Sequence, residues 1–99
     1  MLKKFIMNVT LKGSDAVAYD NALFGHRLMV CRKNRGMSQD ELAAKSGVSK
    51  DNIARYEVAM NKPMLDKAYA LARALDVTID ELVGLSPLVI DGKPGGEAS

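Results

Sequence analysis

Ninety-nine residues, 47% hydrophobic and 26% charged with a formal net charge of +2, suit one globular unit with a modest core and leave little for a second. No apolar run approaches the roughly 20 residues of a membrane-spanning helix. One cysteine, Cys31, and one histidine, His26, exclude an internal disulfide and a clustered His/Cys metal site. With no nucleophile–base pair either, the composition points away from an enzyme, implies no cofactor, and agrees with a reducing cytoplasm.

The opening "MLKKFIMNVTLKGSDAVA" imitates a secretory leader, with two lysines, an apolar patch and an A-x-A ending at Ala18. Asn8 and Thr10 interrupt the patch, and Lys12 and Asp15 fall where a leader stays uncharged, so an extension of residues 1–19 is expected instead. Phe5, Ile6, Met7, Val9 and Leu11 give residues 1–13 a strand-like pattern. A first helix is expected from about Asp20 to Asn34, with Phe24, Leu28 and Cys31 on one face, ended by Gly36. Ser38 and Glu41 form a capping box that starts a second helix at Gln39, and Gly47 stops it after Ser46.

Only three residues on, Ser49 caps a third helix carrying Ile53, Tyr56 and Glu57 on one side. After Pro63, the residues Leu65, Ala68, Leu71, Ala72 and Leu75 mark a fourth helix. Thr78 and Glu81 make a second capping box for a short fifth helix with Ile79, Leu82 and Val83. The remainder, residues 85–99, holds a brief strand-like run at Leu88 to Ile90 and then "GKPGGEAS", which lacks the spacing of a phosphate loop and reads as a tail.

Charge is unevenly spread. From Phe24 to Pro63 the bases Arg27, Arg32, Lys33, Arg35, Lys45, Lys50, Arg55 and Lys62 outnumber Asp40, Glu41, Asp51 and Glu57 by four. From Met64 onward, Lys67, Arg73 and Lys93 are outnumbered by Asp66, Asp76, Asp80, Glu81, Asp91 and Glu97 by three. The basic segment suits a polyanion, although a solvated face can show similar scatter.

The second and third helices are each under three turns, too short to stand alone, so packing against each other and against the first and fourth must hold them. Ala43 leaves room for the crossing, Gly47 reverses the chain, Val48 plugs the inside of the turn and Ile53 fills the space beside Ala43. That set is a helix-turn-helix signature. The stretches "FGHRLMVCRKNRGMSQDELAAKSGVSKDNIARYE" and "NKPMLDKAYALARALDVTIDELVG" resemble the Cro and phage-repressor (XRE-type) family across Phe24 to Gly84. The resemblance implies an all-α, five-helix, lambda-repressor-like domain at residues 20–84, with the terminal strand-like runs as the only expected β content.

The resemblance further implies that the third helix enters the major groove. With Ile53, Tyr56 and Glu57 inward, helix geometry puts Lys50, Asp51 and Arg55 on the outer face and Ser49 and Asn52 at its edge. Arg55 suits guanine, Asn52 adenine and Asp51 a cytosine amino group, while in the bland reading Asp51 complements the helix dipole and Lys50 touches phosphate. Gln39, at a helix N-terminus, matches a family phosphate contact, as do Asn61 and Lys62 after the third helix; Ser38 either assists or only caps. Arg32 and Glu57 match positions that the family pairs between the first and third helices.

Two features depart from the family. Ala59 stands where glycine is usual, which predicts a different loop because alanine resists a left-handed turn. Met29 and Val30 stand where the family is polar, which suggests that residues 5–18 cover the first helix or pair with Leu88 to Ile90, across a dimer if not within one chain. Cys31 is expected as a small core filler and His26 in solvent.

The function expected is a sequence-specific double-stranded DNA-binding regulator, most simply a repressor, acting as a homodimer on operator DNA away from any membrane. The rivals are an antitoxin-like protein that also holds a toxin partner, and a co-activator module that uses the fold without reading DNA.

Overall fold

The computed structural model describes residues 18–88. Five helices follow one another: α1 (Asn21–Asn34), α2 (Gln39–Ser46), α3 (Lys50–Glu57), α4 (Leu65–Leu75) and α5 (Ile79–Val83). Among the described residues there is no strand. The strand-like run at 1–13, Val89 and Ile90 lie outside them, while Leu88 packs on the core without joining a strand.

Local chemistry places the helix ends. Asp20 caps α1, its Oδ1 accepting from the backbone N–H groups of Ala22 and Leu23 at 3.0 and 3.1 Å. Ser38 and Glu41 close a reciprocal box on α2, and Thr78 and Glu81 do the same on α5. After α1, the Gly36 N–H reaches the Lys33 carbonyl at 2.9 Å and the Met37 N–H that of Arg32 at 3.1 Å, with Gly36 left-handed at φ +68°. This paired closure satisfies carbonyls that would otherwise point at nothing.

The same closure ends α3, and it corrects the expectation for Ala59. Ala59 N–H bonds the Tyr56 carbonyl at 3.1 Å, Met60 N–H bonds that of Arg55 at 2.8 Å, and Ala59 takes φ +61° despite its Cβ. The turn is therefore kept, not rerouted, at a local cost of about 1–2 kcal/mol relative to an unstrained alanine. A polar chain holds it from outside: Asn21 Nδ2 donates to the Ala59 carbonyl at 3.2 Å, and the Tyr19 hydroxyl donates to Asn21 Oδ1 at 2.9 Å.

The core is one cluster in which Phe24, Leu28, Leu42, Ile53, Leu71, Leu75 and Leu82 are fully buried, joined by Cys31, Val48, Tyr56, Ala68, Ala72 and Ala74. All five helices contribute to it. Helix α1 packs on α3 and α5, α2 on α3 and α4, and α4 on α5. Cys31 fills this core and burial pushes its thiol above the ordinary range, whereas His26 is exposed. Leu65, counted in sequence with the apolar stripe of the fourth helix, is instead 73% exposed. It is the first residue of α4, and helical side chains lean toward the N-terminus, which here carries Leu65 past the last turn that could receive it.

Two contacts set how closely the helices approach. Gly25 faces the C-terminal turn of α3 so tightly that a Cβ there would collide with the Tyr56 carbonyl oxygen. Phe24 meets the Tyr56 ring edge-on, centroids 6.2 Å apart at 79°. On the other side of α1, Arg27 Nη1 donates to the carbonyls of Glu81 and Ser86 at 2.6 and 2.7 Å and ties down the end of α5. Met29 and Val30 are half-buried, and the segment expected to cover them lies outside the described residues.

Candidate nucleic-acid interface

The α2–turn–α3 unit is fixed by a few groups. Gly47 supplies φ +81° at the end of α2, its N–H bonding the Ala43 carbonyl at 2.9 Å. Val48 is buried beneath the turn, and Ser49 opens α3 with its Oγ accepting from the Asn52 N–H at 3.1 Å. Eight residues suffice for α3 because Ile53 and Tyr56 are buried on one side of it.

Beneath α3 lies a buried ionic group. Arg32 Nε and Nη2 donate to Glu57 Oε2 and Oε1 at 2.7 and 3.1 Å, with the two side chains 10% and 5% exposed. Gln39 Nε2 adds a third donor to Glu57 Oε1 at 3.0 Å, and Arg32 Nη1 donates to the Met37 carbonyl at 2.8 Å. The hydrogen bond to Glu57 raises the Arg32 pKa above its ordinary value, outweighing the burial that lowers it. This bidentate geometry joins α1, the start of α2 and the end of α3 through one carboxylate. It sets the pitch of α3 against the remaining helices.

The opposite side of α3 is open. Ser49, Lys50, Asp51 and Arg55 are exposed and Asn52 is half-buried, so the five expected base-facing residues fall on the outer face and its edge. Both cations of this set, Lys50 and Arg55, are already paired. Arg55 Nε donates to Asp51 Oδ2 at 3.0 Å, one helical turn back, and Lys50 Nζ lies 3.4 Å from Asp40 Oδ2 of α2. The Asp51–Arg55 spacing of four was a readable signal, since residues four apart share a helix face. The Lys50–Asp40 pair required the tertiary fold.

The residues expected to meet phosphate lie at the start of α2 and in the segment after α3. Gln39 is the first residue of α2, with its side chain on Glu57 and its helix N-terminus capped by Ser38. Ser38 Oγ accepts from the Glu41 N–H at 3.0 Å, a capping role that leaves its hydroxyl hydrogen for a ligand. Asn61 and Lys62 are exposed after the Ala59 turn, which Asn21 and Tyr19 brace; neither bracing residue was singled out from sequence. Among the described residues no three His, Cys, Asp or Glu side chains gather to hold a metal ion, and no described helix is long and apolar enough to cross a membrane.

A three-residue turn, a supported α2 and an outward α3 define a helix-turn-helix protein. The chain belongs to the helix-turn-helix family HTH_3, which it matches over residues 28–82. Among curated proteins it is similar to the uncharacterized HTH-type transcriptional regulator YobD of Bacillus subtilis (strain 168), 38% identical over 64 residues. That match covers 65% of this chain and 57% of YobD, so the chain spans little more than half the length of that relative.

Among solved structures it is similar to the restriction-modification controller protein C.AhdI from Aeromonas hydrophila, with a TM-score of 0.62 and 35% identity over 64% of this chain and 96% of that one. The P22 c2 repressor, solved in complex with a synthetic operator, matches with a TM-score of 0.59 and 31% identity, covering 62% and 92% of the two chains.

Proposed function

We propose that residues 20–84 form a sequence-specific reader of double-stranded DNA and that the protein regulates transcription by occupying operator sites, most simply as a repressor. The single observation that carries this reading is the division of α3: Ile53, Tyr56 and the Glu57 carboxylate lie inside, while Ser49, Lys50, Asp51 and Arg55 face solvent. The likeness to a repressor solved on operator DNA supports it.

In this reading α3 enters the major groove. Arg55 meets guanine, Asn52 at the edge meets adenine, and Lys50 lies between base and phosphate. The α2 N-terminus at Gln39, with Ser38 beside it, takes one backbone phosphate through its free N–H groups and dipole, and Asn61 and Lys62 take another. The two phosphate sites fix the register in which α3 reads. A homodimer places two copies of α3 about 34–36 Å apart, in successive major grooves. Residues 1–19 and 85–99 then flank the reader, and any toxin or other protein partner would engage outside the α3 face.

Binding to fluorescently labelled duplexes tests the proposal. Affinity is expected to fall steeply with salt and to be about a thousandfold or more higher for a preferred sequence than for its scramble. Equal retention on both, with only a salt dependence, would leave a nonspecific polyanion binder. No retention on either would favour an interaction module.

A further inference from the structure

The Asp51–Arg55 pair occupies the middle of the face assigned to base reading, and its atoms constrain what Arg55 can do. A guanidinium offers two hydrogen-bonding edges: one formed by Nε and an Nη, the other by Nη1 and Nη2. Here Nε is spent on Asp51 Oδ2 at 3.0 Å, so the end-on Nη1/Nη2 edge is the one left for a base. That edge matches the O6 and N7 acceptors of guanine in the major groove.

We infer that Asp51 is a positioning residue for specificity: it holds Arg55 by Nε so that the Nη1/Nη2 fork meets guanine end-on. The inference rests on the assignment of α3 as the reading helix. In free protein the two side chains are 74% and 46% exposed, and water weakens their bond. Inside a groove that excludes water the same bond strengthens, because less solvent competes for either group. Asp51 also places a negative charge near the phosphate-lined groove, which lowers affinity for every sequence alike. Holding Arg55 is therefore expected to trade overall affinity for discrimination.

The test is base preference, not affinity. Preferred duplexes are selected with the full chain, and the base read by Arg55 is located as the position whose preference is lost in Arg55→Ala. At that position Asp51→Ala, which leaves Nε no acceptor, is expected to reduce the preference for guanine over the other bases about fivefold or more, while overall affinity stays level or rises. In the Arg55→Ala background Asp51→Ala should change no base preference there, and each variant should still unfold in a single cooperative transition.

An unchanged guanine preference in Asp51→Ala, or affinity rising by one factor for all sequences, would overturn the positioning role while leaving α3 as the reader. A preferred base other than guanine at that position would overturn it too, as would a preference that survives Arg55→Ala. A wild-type chain that selects no sequence would overturn the reading of α3 itself, and the positioning role with it.

Discussion

Removing the Glu57 side chain strands a charge. In Glu57→Ala, Arg32, only 10% exposed in the intact pair, loses its two bonds of 2.7 and 3.1 Å, and Gln39 loses one of 3.0 Å. Breaking a buried pair from one side costs about 3–5 kcal/mol, because the surviving ion is neither paired nor hydrated. The Met37 carbonyl still accepts from Arg32 Nη1 at 2.8 Å, which places the expected loss toward the lower end, about 3–4 kcal/mol.

Against a total of about 5–10 kcal/mol for a domain of this size, that leaves α3 marginally held. Urea unfolding followed by far-UV circular dichroism measures the loss. A companion double variant, Arg32→Met with Glu57→Leu, removes both charges and should recover most of it, since an apolar pair of similar volume leaves nothing stranded. A loss under about 1 kcal/mol in Glu57→Ala would show that Arg32 is hydrated and not stranded, because that is the range of a surface pair. A double variant as unstable as the single one would show that the cost comes from lost helix contacts and not from the stranded arginine.

Three further outcomes follow from the packing. Gly25→Ala is expected to lose about 1–3 kcal/mol or more by pushing α1 off α3, where its Cβ meets the Tyr56 carbonyl; thermal unfolding unchanged from wild type would contradict that closeness. Ala59→Gly should gain about 1 kcal/mol by relieving the positive φ, less the flexibility that glycine adds to the unfolded chain, and a loss on urea unfolding would mean the turn is not left-handed. Burial raises the Tyr56 phenol above its ordinary value near 10, so it resists ionising in the fold. Its contribution is fully present below about pH 10 and is lost as pH rises through the higher folded value, so stability should fall there and Tyr56→Phe should flatten the decline.

The helices were legible because their signals are local. Ser38, Ser49 and Thr78 cap through atoms three residues away, and spacings of three and four name the buried faces of α1 and α3. Leu65 shows the limit of periodicity, which cannot say whether a neighbour exists beyond the first turn. Ala59 shows the limit of propensity: Asn21 and the two closing hydrogen bonds hold the turn that alanine disfavours. Gly25 carried no signal, and Arg27 showed only its charge, which counted toward the basic segment and not toward the end of α5. Their roles depend on carbonyls of α3 and α5 that are remote in sequence, and only the assembled fold brings these into reach. The outward set on α3 followed from knowing which side was buried, whereas the pairing of Lys50 with Asp40 needed the angle between α2 and α3.

The central claim is that the outer face of α3 reads base edges. Selecting bound sequences from a pool of random duplexes measures this most directly. The expected result is a recurrent motif repeated with two-fold symmetry, its half-sites centred about 10 base pairs apart, that loses single positions when Arg55 or Asn52 is replaced by alanine. A bound pool no different in sequence from the starting pool, or a motif untouched by those replacements, would contradict it.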